Sequence, residues 1–274
     1  MPSTRAADGT RIFYDTFGCA DGEPLVLIMG LSVDRWGWLR QRSMLAKNYR
    51  CISLDNRGAG LSDKPHGGYD LFTMAADVEA VMDAEGVDSA HVMGYSLGGV
   101  LAQVLAVIAP HRVRSLVLAS TACRVKDWRR EILADWSQLI EARGVRAFAQ
   151  ENLRWVAAAR HLRWIAPLAP AFAPLMVRAP AHGIIGQIHA IGSISEQMHE
   201  QLRGISVATL VIVGSQDILT PVADSEEIAH RITGAQLQVI SGAAHGAVVT
   251  DAATFNRAVG AFLQTQIAAP LTAG

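Results

Sequence analysis

Gly94-Tyr95-Ser96-Leu97-Gly98 stands between a short apolar run, Ala90 to Gly94, and a segment from Leu97 to Ala109 that is apolar almost all round and stops at Pro110. Those flanks predict a buried strand and a central helix packed on the sheet. A Gly-x-Ser-x-Gly string between them reads as a sharp strand-to-helix turn that presents its serine at the helix N-terminus. The glycines have a steric reason, because the chain must pass so closely around Ser96 that residues two positions either side cannot carry bulk.

A serine hydroxyl is a poor nucleophile until a neighbouring base takes its proton. Val211-Ile212-Val213-Gly214-Ser215-Gln216-Asp217 puts an acid just past an apolar strand, and Val239-Ile240-Ser241-Gly242-Ala243-Ala244-His245 puts a histidine in the loop after the last strand. Strand ends on one edge of a parallel sheet converge, so Ser96, His245 and Asp217 are the candidate nucleophile, base and orienting acid. The rival place for the acid, after the preceding strand, holds Ser120, Thr121 and Ala122, none of them a carboxylate, and Asp127 is too far along the chain.

Outward from this motif, short β-rich runs alternate with helical patterns, which predicts the α/β class with a mostly parallel sheet. Arg11 to Phe17 alternates like an edge hairpin strand, while Leu25 to Met29, Arg50 to Leu54, Val113 to Ala119, Thr209 to Val213 and Gln236 to Ile240 read as further strands. Phe72 to Ala84, Ala223 to Ile232 and Ala252 to Gln266 carry helical spacing. From about Ala122 to Gly204 the rhythm breaks into helical pattern only, with Ile132, Trp136, Leu139 and Ile140 on one face. The expected organisation is a core of residues 1–121 and 205–274 with a helical cap, residues 122–204, inserted into it.

The cap holds Trp128, Trp136, Trp155 and Trp164 and a Pro-rich turn section from Pro167 to Pro180. Ordinary helix packing accounts for the tryptophans; Trp128, Trp136 and Trp155 are the candidates for lining a substrate pocket. His182, His189 and His199, with Glu196 and Glu200, are spaced unlike any standard ligand motif, and no metal site is expected from them. From Arg124 to Arg203 there are eleven Lys or Arg against seven Asp or Glu. A solvated basic face explains that excess, the sharper alternative being an acidic substrate or an acyl-carrier partner steered to the cap.

Composition bounds the rest. With 274 residues, 50% hydrophobic and 18% charged, the chain can bury one large core, and a net charge of −1 gives no reason to expect nucleic acid. Met1 to Arg11 is polar, and the longest apolar runs are interrupted by Gln103 or by prolines, so neither a leader nor a spanning helix is expected. Cys19, Cys51 and Cys123 are widely spaced with no metal-ligand pattern, and a reducing cytoplasm is the expected compartment.

Taken with the order serine, acid, histidine, these motifs make the chain resemble the α/β-hydrolase superfamily over nearly its whole length. Leu54-Asp55-Asn56-Arg57-Gly58-Ala59-Gly60-Leu61-Ser62-Asp63 is similar to that family's Asp-x-Arg-Gly-x-Gly-x-Ser turn, with Asp55 and Arg57 expected as structural anchors, and Leu27-Ile28-Met29-Gly30-Leu31 is similar to its oxyanion loop. Members usually carry His-Gly there; this chain has Met29-Gly30. The resemblance implies backbone N–H donors from Leu31 and Leu97 for an oxyanion, an acyl-serine intermediate, and no cofactor or metal. It implies cleavage of carboxylic esters or lactones, of small to medium apolar type given the apolar cap. The alternatives on the same triad are a perhydrolase or haloperoxidase, a carbon–carbon bond hydrolase, and a ligand sensor with slow turnover. A serine at position 96 sets aside the relatives with aspartate or cysteine nucleophiles.

Overall fold

A computed structural model describes residues 2–165, 167 and 177–267. Of the stretch from Pro167 to Pro180, only Pro167 and residues 177–180 fall within that description, and the Trp164 side chain lies outside it.

The eight strands are β1 (Ser3–Arg5), β2 (Arg11–Gly18), β3 (Glu23–Ile28), β4 (Tyr49–Leu54), β5 (Ala90–Tyr95), β6 (Val113–Ala119), β7 (Ala208–Gly214) and β8 (Gln236–Ile240). They form one sheet in the order β1-β2-β4-β3-β5-β6-β7-β8. β1 pairs with β2, and β2 with β4, antiparallel; all other pairs are parallel. The second strand is therefore a hairpin strand but not the edge. The edge is Ser3–Arg5, three residues that are too few for an alternation to register.

Both faces of the sheet are covered, which is why the parallel strands read as unbroken apolar runs. In β3, Val26 and Ile28 pack with α2 (Leu71–Ala84) and α3 (Leu97–Ile108), whereas Leu25 and Leu27 pack on the opposite side with Trp38, Leu45 and Phe255. Those opposite partners come from a short 3-10 turn (Arg35–Trp38), α1 (Leu39–Leu45) and the last helix.

Between β6 and β7 the described residues form helices only: α4 (Asp127–Val156), α5 (Ala159–Ile165), α6 (Ala181–Gly192) and α7 (Glu196–Gln201). The long α4 is broken at Gly144, whose φ of 78° and ψ of 172° are open to glycine and strained for other residues. After β7 come α8 (Val222–Arg231), then β8, α9 (Ala247–Thr250) and α10 (Ala252–Ile267).

Strand order reverses between β3 and β5, the switch point at which crevices form at the carboxyl ends of such sheets. The loops there are anchored by buried charges. Asp55 does not pair with Arg57; it accepts from Arg35 Nη1 and from the Arg35 and Leu61 backbone, each at 2.8 Å. Arg57, fully buried, is clamped by Asp77 at 2.6 and 2.7 Å and by Asp8 at 2.8 Å. Removing one partner of such a pair strands the other charge in the core. Asp77→Ala should cost about 3–5 kcal/mol of unfolding free energy, measured by urea titration; a loss under about 1 kcal/mol would mean that Asp8 alone satisfies Arg57.

Candidate active site

Ser96 sits at the junction of β5 and α3 with φ 54° and ψ −117°, a conformation costly for a residue with a side chain. Four hydrogen bonds hold it there. Its N–H donates to Ala119 O at 2.9 Å, and its carbonyl accepts from Gly99 N at 2.9 Å, Val100 N at 3.2 Å and Thr121 Oγ1 at 2.8 Å. The flanking glycines are required by contact: a Cβ at Gly94 would lie 2.2 Å from Gly98 O, and one at Gly98 would lie 2.1 Å from Ile28 O.

His245 and Asp217 arrive from the ends of β8 and β7, neighbouring parallel strands. His245 Nε2 is 3.1 Å from Ser96 Oγ, and its Nδ1 is 2.9 Å from Asp217 Oδ2. Both residues are buried. Asp217 Oδ1 also accepts from the backbone of Leu219 at 3.0 Å and Thr220 at 2.8 Å, and Thr220 Oγ1 donates to Oδ2 at 2.8 Å. Burial pushes the Asp217 carboxyl up, but the facing His245 and the Thr220 hydrogen bonds outweigh it and hold the carboxyl below the usual range. Asp217 is thus an ionised acceptor for an Nδ1–H, the tautomer that leaves Nε2 free to take the Ser96 proton.

Leu31 and Leu97 border the same cavity as Ser96 and His245. Leu97 opens α3, so its N–H is among the helix donors without an intrahelical acceptor. Leu31 follows Gly30, where a Cβ would be 3.1 Å from Ser96 Cβ, so the loop runs directly against the serine. Two side chains fix that loop. Asn56 Nδ2 donates to Met29 O at 2.8 Å, and Gln187, from α6, accepts from Ser32 N at 2.7 Å while donating to Arg57 O at 2.8 Å. Met29 itself is buried and packs on Gly37, where a Cβ would meet Met29 Cε at 2.4 Å, so its thioether fills an apolar slot.

The cavity encloses about 500 Å³. Its wall is largely apolar, with Leu133, Trp136, Phe148, Leu153 and Ile191 supplied by the helices between β6 and β7 and Ile194 by the link between α6 and α7. Of the three tryptophans singled out from sequence, only Trp136 reaches it. Trp155 stands behind Trp136, edge to face at 6.3 Å, and the Trp128 ring is covered by the Arg129 guanidinium at 4.7 Å. Arg129 is the one Lys, Arg, Asp or Glu among the described lining residues. It pairs with Asp224, which Lys126 shares at 2.9 Å, with Nε on Leu219 O at 3.1 Å and Nη1 on Arg124 O at 2.9 Å.

Thr220, Asn56 and Gln187 were not legible as site residues. Thr220 has a local signal, since a Thr three residues after an Asp closes a side-chain-capped turn, but the other two act on backbone groups far away in sequence. His182 and His189 do not join His199: His182 stacks on His66 at 4.3 Å, and His189 is exposed.

With this geometry in hand, comparison with known proteins is decisive at family level. The α/β hydrolase fold family matches residues 23–252. The chain belongs to the α/β-hydrolase fold family. It is 30% identical over 270 residues to 3-oxoadipate enol-lactonase 2 of Acinetobacter baylyi, covering 95% of this chain and 96% of that one. It is 31% identical over 266 residues to a Variovorax paradoxus protein provisionally named carbamate hydrolase RutD, covering 94% and 98%. Among solved structures, the enol-lactonase of Burkholderia xenovorans LB400 superposes with a TM-score of 0.89 at 26% identity, covering 96% of this chain and all of that one. On this ground the α/β-hydrolase described here is a hydrolytic enzyme. No helix among its described residues is long and apolar enough to cross a membrane.

Replacing Thr220 by Val removes one hydroxyl from Asp217 while keeping the shape. A net hydrogen bond of about 1 kcal/mol translates into roughly fivefold slower capture of Ser96 by a fluorophosphonate probe, followed by gel fluorescence, with Ser96→Ala as the unlabelled control. An unchanged rate would show that Leu219 and Thr220 N–H groups suffice to place Asp217.

Proposed function

We propose that this α/β-hydrolase cleaves uncharged, mostly apolar carboxylic esters or lactones of small to medium size through an acyl-serine intermediate. Ser96 Oγ attacks the carbonyl carbon as His245 Nε2 takes its proton, and Asp217 stabilises the resulting imidazolium. The N–H groups of Leu31 and Leu97 receive the oxyanion. As the tetrahedral adduct collapses, the leaving alkoxide takes the proton from His245; water, deprotonated by the same histidine, then hydrolyses the acyl-serine and restores Ser96. No metal or cofactor enters this scheme. The helices over the cavity, residues 122–204, act as the cap that sets acyl size.

The observation that carries this assignment is the hydrogen-bonded chain Ser96–His245–Asp217, at 3.1 and 2.9 Å, opening into an apolar cavity. The names of the relatives agree with acyl cleavage, and the cavity narrows the substrate further. The Arg129 nitrogens are already engaged, by Leu219 O, Arg124 O and Asp224, so a carboxylate on the substrate would be desolvated there without a ready hydrogen-bonded partner, at a cost of several kcal/mol.

Hydrolysis of p-nitrophenyl esters from acetate to decanoate should give a kcat/KM that peaks within the series, and Ser96→Ala should lower it about 10⁴–10⁶-fold. Equal turnover by Ser96→Ala would remove the serine from the mechanism. Against the hexanoate ester, mono-p-nitrophenyl adipate should be cleaved at least about 100-fold less well. Comparable rates for the two would refute the uncharged substrate class while leaving the triad intact.

A further inference from the structure

Cys123 lies four residues beyond the end of β6, His199 lies in α7 and Glu227 lies in α8. Their ligand atoms, Sγ, an imidazole nitrogen and a carboxylate oxygen, are all within 4.8 Å of one another. None of the three takes part in the proposed hydrolysis. His199 is 1% exposed, and neither of its ring nitrogens makes a hydrogen bond. Nε2 approaches Glu227 Oε1 to 3.0 Å without hydrogen-bond alignment. A buried imidazole with neither nitrogen in an aligned hydrogen bond is a rare state in a folded protein.

We propose that Cys123, His199 and Glu227 bind a divalent cation of the zinc type. A sulfur, nitrogen and oxygen donor set suits zinc, whereas magnesium and calcium take oxygen ligands. Tetrahedral ligands at about 2.0–2.3 Å from zinc stand roughly 3.5 Å apart, so side-chain shifts of about an ångström close the set, with water in the fourth position. The second nitrogen of His199 is equipped for the role. Nδ1 faces Glu196 Oε2 at 3.6 Å and Glu200 Oε1 at 3.9 Å, the carboxylate backing that orients metal-bound imidazoles. Glu227 also meets Arg124 Nη2 at 2.9 Å, and a carboxylate has lone pairs enough for both.

The placement gives the ion a purpose. Cys123 stands where the chain leaves the sheet for the inserted helices, and His199 stands just before it returns at β7. A shared ion joins both crossings to α8 and fixes the base of the helical segment.

The test starts from chelator-treated protein dialysed against zinc chloride, with bound zinc counted by mass spectrometry. One zinc per chain is expected, and at one hundred times Kd the melting temperature should rise by about 5–10 °C. Cobalt chloride should give a near-ultraviolet thiolate-to-cobalt charge-transfer band. Cys123→Ser should abolish that band, and both Cys123→Ser and His199→Gln should weaken zinc binding at least about tenfold. Should either variant fail to fold by circular dichroism, Glu227→Gln and the wild-type cobalt spectrum decide. Wild type without bound zinc, cobalt without the thiolate band, or full binding in a folded variant would each overturn the site.

Discussion

A methyl group at residue 98 would lie 2.1 Å from the Ile28 carbonyl oxygen, and the site depends on its absence. Because α3 can approach the end of β3 that closely, Ser96 is carried to the loop after β3, where Gly30 lets the backbone of Leu31 run against it. The resulting turn is strained at Ser96, by about 1–3 kcal/mol for such a backbone. Hydrogen bonds to Ala119 and from Gly99, Val100 and Thr121 over-determine it. The remaining geometry follows from parallel pairing. β6, β7 and β8 are neighbours in register, so the loops after β7 and β8 emerge side by side, one with Asp217 and the other with His245.

Much of this was legible in sequence because burial on both faces of a parallel sheet leaves unmistakable apolar runs, and because Gly-x-Ser-x-Gly has meaning between such a strand and an apolar helix. What escaped had short or irregular signals. β1 is three residues long, and α1 begins with Leu39, 61% exposed beside fully buried Trp38, so no clean helical face shows. In α4 the break falls at Gly144, amid residues that otherwise favour continuing the helix. At the site, single residues at strand ends were readable since their chemistry demands particular side chains. Gln187 was not, because its partners are backbone groups of Ser32 and Arg57, separated from it by 155 and 130 residues.

Gln187 also shows how the inserted helices and the core act on one another. Its amide oxygen holds the loop that carries Leu31, and its amide nitrogen holds the loop anchored by Arg57 and Asp77. The helical segment therefore does more than cover the cavity. It contributes a buried hydrogen-bond bridge to the loop proposed to receive the oxyanion, so these helices and that loop are positioned together.

Charge placement then separates chemistry from recognition. The buried arginines are paired: Arg35 with Asp55 and Arg57 with Asp77 in the loops beneath the site, and Arg129, at the cavity wall, with Asp224, a carboxylate that Lys126 shares at 2.9 Å. Inside, the ionised carboxylate of Asp217 faces His245, both of them buried. Low polarity strengthens that one interaction and equally penalises any charge that a substrate would bring without a partner. In the proposed reaction the same apolar wall would sharpen the serine's base and select neutral acyl groups, so catalytic power and substrate choice would rest on one physical property of the cavity.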